Sequence, residues 1–269
     1  MPNKAPIGIF DSGIGGLTLA NAITEILPKE SIIYFGDTAH LPYGDKSATA
    51  IQSYAVKICN LLLEKNCKLI LIACNSASAA AFDLVKAYVG SKAIVVNVID
   101  PVIDYLSKYW ENKTLGLIGT KQTVNSGIYA QKATNLHQNI QIKSLATPLL
   151  APMIEEGFFN HKISEQIIEE YLQNEKIQAI DGLILGCTHY PLIKKQIENF
   201  YQGKTKVIDT SVIVAEKIKQ ILLENQLETN LNETGNRQFF VSDYTESFEK
   251  STQLFFGQEI KLTQYPIWD

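Results

Sequence analysis

The sequence predicts an α/β protein made of two doubly wound parallel-sheet units related by pseudo-symmetry, with a cleft between them. Three observations predict it. Short apolar runs alternate with amphipathic segments nearly throughout the 269 residues. The alternation restarts near residue 114. Each half also carries an apolar run that stops at a cysteine: LILIACNSASAA at 69–80 and GLILGCTHYPLI at 182–193.

In chain order, IGIF (7–10), SIIYFG (31–36), KLILIA (68–73) and AIVVNV (93–98) are near-continuous apolar runs, the pattern of parallel strands buried on both faces. Residues 15–27, 47–65 and 76–88 between them carry helical spacing. In the second of these, Ile51, Tyr54, Ile58, Leu61 and Leu62 share one face. Strand, crossover helix and strand repeated in this way build an open doubly wound sheet. TLGLIG (114–119) then resembles the first strand, 121–136 reads as one helix, and QIKSLA (141–146) and GLILG (182–186) supply the next strands. The cysteine segments superpose at an offset of 113 residues and the two first strands at 107, which suggests two copies of one unit. A strand at 207–209, a helix at 211–224 and the polar loop ETNLNETGN come next. RQFFVSD (237–243), a helix and EIKLTQY close the chain, and this tail is expected to pack back on the first unit. The expected division is residues 1–98 with 210–269 in the first lobe and 99–209 in the second, with crossings near 98–101 and 207–210.

Composition narrows the function classes. A formal charge of −4 and a pI near 5.7 argue against a nucleic-acid surface, which is usually strongly basic. No window approaches the ~18 consecutive apolar residues of a membrane span, and the N-terminal MPNKAPIGIFDSG lacks the apolar core of a signal peptide. The expectation is a cytoplasmic protein with no membrane partner. Cys59, Cys67, Cys74 and Cys187 show no zinc spacing and are expected to be free thiols, with no metal.

Strand ends locate the chemistry. In open α/β sheets ligands bind beyond the carboxyl ends of the strands, where strand order reverses. For the order 2-1-3-4 that point lies between the first strand, ending at Asp11-Ser12, and the third, ending at Cys74. Neighbouring strands lie about 4.8 Å apart, so these residues meet. The second strand brings Asp37 and Pro42-Tyr43-Gly44 to the same rim, and the second unit places Cys187, Thr188 and His189 beside Gly119-Thr120. Each cysteine is followed by polar residues opening a helix, whose free N–H groups can seat a carboxylate and whose field lowers a nearby thiol's pKa. Simpler readings stand beside these. Asp11 is also a residue that caps helices, Tyr43 a turn aromatic after proline, Asp37 a loop cap and Glu155 a surface charge. Cys59 and Cys67 read as packing residues. His40, His137 and His161 have no cysteine or carboxylate constellation near them in sequence, so loop or solvated roles are expected. DSGIGG matches no nucleotide loop and reads as a tight turn that lets the backbone approach a ligand.

Taken together, FDSGIGG, YFGDTAHLPYG, ACNSASA and ILGCTHYPLI resemble the glutamate racemases of the aspartate/glutamate racemase superfamily over essentially the whole chain. The resemblance implies exchange of L- and D-glutamate with no cofactor, neither pyridoxal phosphate nor metal. Cys74 and Cys187 would be the two bases, acting on the D- and L-enantiomer respectively, with Asp11 and His189 taking and returning their protons. Glu155 matches an acidic position linked to His189. Asp11, Ser12, Tyr43, Gly44, Asn75, Ser76, Thr188 and His189 would bind substrate. His189 after the second Cys-Thr favours glutamate, since aspartate-specific members commonly carry glutamate there. The family usually reads Cys-Asn-Thr-Ala where this chain has Cys74-Asn75-Ser76-Ala77, which keeps the hydroxyl and loses a methyl. A role in peptidoglycan synthesis and cell shape, and a homodimer, are implied as well. The alternatives are a racemase of a related amino acid such as aspartate, a non-catalytic amino-acid-binding protein, or a single-cysteine enzyme working through Cys74.

Overall fold

The computed structural model describes residues 3–268. The first parallel sheet is seeded by β1 (Ile7–Asp11), β2 (Ile32–Gly36), β3 (Leu69–Ile72) and β4 (Ile94–Asn97). Between them run α1 (Leu17–Ile26), α2 (Ala48–Glu64) and α3 (Asn75–Val89), and α4 (Asp100–Tyr109) leads out of β4. The second sheet holds β5 (Thr114–Gly119), β6 (Gln141–Ala146), β7 (Gly182–Gly186) and β8 (Lys206–Ile208). Its helices are α5 (Lys121–Asn125), α6 (Ile128–Thr134), α7 (Leu150–Glu155), α8 (Lys162–Leu172) and α9 (Lys194–Tyr201). The chain returns through α10 (Thr210–Glu224), β9 (Arg237–Val241), α11 (Glu246–Phe256) and β10 (Thr263–Gln264).

Strand order is β10-β9-β2-β1-β3-β4 in the first sheet and β6-β5-β7-β8 in the second. Both contain the 2-1-3-4 order, so both have their switch point between first and third strands. Two parallel-sheet α/β units are thus present, as the alternation predicts. The tail extends the first sheet: β9 pairs with β2 and β10 with β9, all in parallel.

The strands are apolar because both faces are covered. Ile7 and Ile9 of β1 face the larger core, which continues through α1, α4 and α10 into the second unit, while Phe10 faces the core beneath α2 and α3. All four residues of β3 are fully buried. At about 1.5–3 kcal/mol for each buried aliphatic side chain, this strand is a firm mount for the Cys74 loop at its carboxyl end. At its start lies a buried ion pair: Lys68 Nζ is 2.6 Å from Glu30 Oε2 and donates to the carbonyls of Asn3 and Leu227. Glu30 Oε1 accepts from the Thr229 amide, so the pair ties the polar connection after α10 to the first sheet. No helix among the described residues is long and apolar enough to cross a membrane.

Two expectations need correction. The helix read over 121–136 is two helices, broken at Gly127, which takes a left-handed φ of 65°. A residue with a side chain resists that conformation, and glycine does not. The segment 15–27 becomes helical only from Leu17, because Gly13 to Gly16 form a turn that feeds its amides to Asp11.

Candidate active site

Register builds the site. Phe10 lies opposite Ile72, and Asp11 opposite Gly36, so Ser12, Cys74 and the connection after β2 converge at one rim. In the second sheet Gly119 lies opposite Gly186, which sets Thr120 beside Cys187. One narrow cavity, with about 440 Å³ of empty space including its mouth, receives both rims. Ser12, Tyr43, Gly44, Cys74, Asn75 and Ser76 line it from the first unit, and Glu155, Cys187, Thr188 and His189 from the second. Pro42, Thr120, Ala151, Pro152 and Gly186 complete the wall and were not among the predicted site residues. Thr120 was within reach of sequence reasoning, since it ends the second unit's first strand as Asp11-Ser12 ends the first unit's.

Asp11 is the predicted residue that does not line this cavity. It is fully buried one position behind Ser12, its Oδ2 accepting from the Gly13 amide at 3.2 Å and the Gly16 amide at 3.0 Å. Its other oxygen has no partner among the described residues. Burial raises the Asp11 pKa, although the His189 charge and the two amides pull the other way. Cys74 instead touches the Ser12 hydroxyl at 3.7 Å, and its sulfur accepts from the Ala77 amide at 3.4 Å, capping α3. The helix start lowers this thiol through the Ala77 amide, as expected, but other causes outweigh it. Burial, and then the Asp11 carboxylate, push Cys74 up to about 12, and the Ala77 amide and the Ser12 hydroxyl offset only part of this. The Asp11 carboxylate therefore opposes ionisation of Cys74, which stays a neutral thiol.

The second thiol sits differently. Cys187 Sγ is 3.6 Å from His189 Nδ1, and His189 Nε2 is 2.8 Å from Glu155 Oε1. Burial opposes a charge on His189. The Cys187 sulfur and the Glu155 carboxylate outweigh it and hold the imidazole well above its ordinary range. A histidine held toward its cationic form thus stands next to one sulfur, and a buried carboxylate opposes ionisation of the other. Glu155 is the ring's partner, so its alternative reading as a surface charge falls.

The glycine turn has a different use from the one expected. A β-carbon on Gly15 would lie 2.3 Å from His189 Cε1 and 2.7 Å from Thr188 Oγ1, so the missing side chain admits the other unit's loop, not a ligand. The Thr18 hydroxyl donates to the Thr188 carbonyl at 2.9 Å across the same seam. On the opposite wall the Ser76 hydroxyl lies 2.8 Å from Thr120 Oγ1, and the Tyr129 hydroxyl donates to Asn75 Oδ1 at 2.7 Å. Each cysteine loop is therefore held by the unit that does not carry it.

Asp37 and His40 also depart from their sequence reading. Asp37 is fully buried and accepts from Tyr43 Oη at 2.6 Å, Ser242 Oγ at 2.8 Å, Trp268 Nε1 at 2.7 Å and His40 Nδ1 at 3.0 Å. It is a hub, not a loop cap. His40 pairs with that carboxylate and stacks on Tyr54, so it is not a solvated loop residue. Tyr43 is fixed from behind while its ring faces the cavity. Cys59 and Cys67 are buried packing residues, their thiols raised by burial. Among the described residues no three His, Cys, Asp or Glu side chains are grouped to hold a metal ion.

Two α/β units that bring a thiol each to a shared cavity define an amino-acid racemase architecture. Residues 16–218 match the Asp/Glu/Hydantoin racemase family, and the chain belongs to that family; it is an isomerase. Within the family it is similar to several glutamate racemases. It is 38% identical over 256 residues to the glutamate racemase of Chlorobaculum parvum, covering 95% of this chain and 94% of that one. It is 38% identical over 265 residues to the glutamate racemase of Sulfurihydrogenibium sp., covering 98% of each. Among solved structures, the Francisella tularensis glutamate racemase in complex with D-glutamate superposes with a TM-score of 0.91 at 37% identity, over 99% of both chains. The RacE1 isoform of Bacillus anthracis glutamate racemase also gives 0.91, at 31% identity over 97% of this chain and 98% of that one.

Proposed function

We propose that this chain interconverts L- and D-glutamate by two-thiol proton transfer at Cα, with no cofactor. The carrying observation is that Cys74 and Cys187, one from each unit, line one cavity. The activity for which the relatives are named and the D-glutamate held by a structural neighbour support the choice of substrate.

Inversion needs a base on one face of Cα and an acid on the other. With L-glutamate bound, Cys187 as thiolate takes the Cα proton and becomes a thiol. The carbanion takes a proton from the Cys74 thiol on the opposite face, leaving Cys74 as thiolate and D-glutamate as product. The reverse direction exchanges the roles. The site supports this starting state: His189, held toward its cationic form, stands 3.6 Å from the Cys187 sulfur, and Cys74 is a neutral thiol. The substrate ammonium offsets the negative charge that Asp11 and Cys74 cannot both hold. His189 and Asp11 exchange protons with their sulfurs between turnovers. Asn75, Ser76, Thr188 and the amides at the helix starts donate to the carboxylate, spreading the carbanion's charge. Ser12, Tyr43 and Gly44 complete the seat.

We take residues 1–98 with 210–269 as one lobe and 99–209 as the other, the cleft opening at their seam. The reading extends to a cytoplasmic homodimer that supplies D-glutamate for peptidoglycan. The test is circular dichroism on each glutamate enantiomer in D2O without added cofactor, beside aspartate. Expected are loss of rotation and one deuterium at Cα, with Cys74→Ala and Cys187→Ala inactive yet able to bind. Racemisation at the wild-type rate by either variant, or turnover of aspartate alone, would overturn the proposal. A thioester adduct in place of exchange would indicate single-cysteine chemistry.

A further inference from the structure

Asn75 lies in the cavity wall as the first residue of α3, and its amide can face the ligand in either of two ways. Presented through Nδ2 it donates to a carboxylate; presented through Oδ1 it repels one. The residue that decides belongs to the other unit. Tyr129, on α6, is fully buried, and its hydroxyl lies 2.7 Å from Asn75 Oδ1, its one side-chain hydrogen bond. A buried phenol needs an acceptor for its proton, and Oδ1 is the one in reach. Among the described residues Asn75 Nδ2 has no hydrogen-bond partner, and it is not a buried, unsatisfied polar atom, so it opens on the cavity.

We infer that Tyr129 is a positioning residue that locks the Asn75 amide with its N–H groups toward the substrate carboxylate. The inference rests on the racemase reading and adds to it a part for a side chain outside the cavity. Burial, with Asp100 nearby, raises the Tyr129 pKa, so the hydroxyl keeps its proton and stays a donor. Because α6 belongs to the second unit and Asn75 to the first, the amide is aimed only while the units are together.

The experiment is a cycle of Tyr129→Phe, Asn75→Ala and the double variant, assayed by circular dichroism with both enantiomers. Tyr129→Phe keeps the ring and loses the proton. Expected is a KM raised about tenfold for each enantiomer, the scale of one mispositioned hydrogen bond, with kcat lowered as well. In the Asn75→Ala background the same change should do nothing further, since its effect runs through Asn75. Additive losses in the double variant, or a Tyr129→Phe enzyme with wild-type KM, would overturn the inference. Should Tyr129→Phe fold poorly, Asn75→Asp carries the test alone. With Tyr129 donating to one carboxylate oxygen, the other would face the substrate anion, so KM must rise beyond that of Asn75→Ala. Wild-type binding by Asn75→Asp would mean that an acceptor faces the ligand. A wild-type chain that racemises glutamate while these variants behave otherwise sinks this inference only; an inactive wild type sinks the proposed function instead.

Discussion

Replacing Glu155 with glutamine removes a charge and leaves the shape. Glu155 Oε1 sits 2.8 Å from His189 Nε2, and both side chains are largely buried, at 19% and 6% exposure, so solvent screens the pair only partly. A hydrogen bond to a charged group contributes about 1.5–3 kcal/mol, equivalent to roughly ten- to a hundredfold in rate at 1.36 kcal/mol per tenfold. The sign comes from the cause. The Glu155 carboxylate is one of the groups that raise the His189 pKa, after Cys187. Without it the ring gives up its proton at lower pH, and the alkaline limb of the rate profile moves down. The enantiomers have equal free energy, so kcat/KM must fall equally in both directions. The asymmetry appears in kcat, which drops more from L-glutamate because that direction needs Cys187 as a thiolate beside a cationic ring, and KM compensates. The assay is circular dichroism across a pH series with each enantiomer. An unmoved alkaline limb, with kcat/KM within twofold of wild type throughout, would refute the coupling. Stability should respond as well. A raised histidine pKa contributes stability below its ordinary value and loses it as pH climbs through the folded value, so the variant's melting temperature should fall most on the acid side.

Asp11→Asn removes the carboxylate that ranks after burial in pushing Cys74 up to about 12. Alkylation of Cys74 by iodoacetamide at fixed pH, read out by peptide mass, should quicken by roughly threefold or more as its thiolate fraction grows; an unchanged rate would mean the two groups do not interact. Gly15→Ala would drive a β-carbon to 2.3 Å from His189 Cε1. We expect about 1–3 kcal/mol of lost stability in denaturant titration together with a hundredfold or greater loss of kcat/KM on the near-attack geometry argument, and normal turnover would show that the seam yields freely. Lys68→Met strands the buried Glu30 carboxylate, which should cost about 3–5 kcal/mol of unfolding free energy while the folded fraction keeps its KM. A stability change under about 1 kcal/mol would show water reaching that carboxylate.

Local pattern carried most of the architecture. Ile7–Asp11, Leu69–Ile72 and Gly182–Gly186 are read from short apolar runs because parallel strands are covered on both faces. Ordinary strand order then puts Cys74 beside Ser12 and Cys187 beside Thr120. Gly127 escaped because one residue's φ breaks a helix whose apolar spacing runs on through it; the Ser126-Gly127 pair was the available turn signal. The direction of the Cys74 shift was missed because a helix start is visible in sequence and the depth of burial is not. The contacts of Asp37 with Ser242 and Trp268 join residues more than two hundred positions apart, and no local pattern records them. Motif resemblance found Glu155 and its link to His189, which apolar patterning alone does not record, because the contact depends on where α7 falls in space.

The indole of Trp268 donates to Asp37, which in turn holds the Tyr43 hydroxyl in the wall of the cavity. The indole thus reaches the cavity wall through two hydrogen bonds in series, so a substitution at Trp268 would loosen the Tyr43 side chain from outside the cavity.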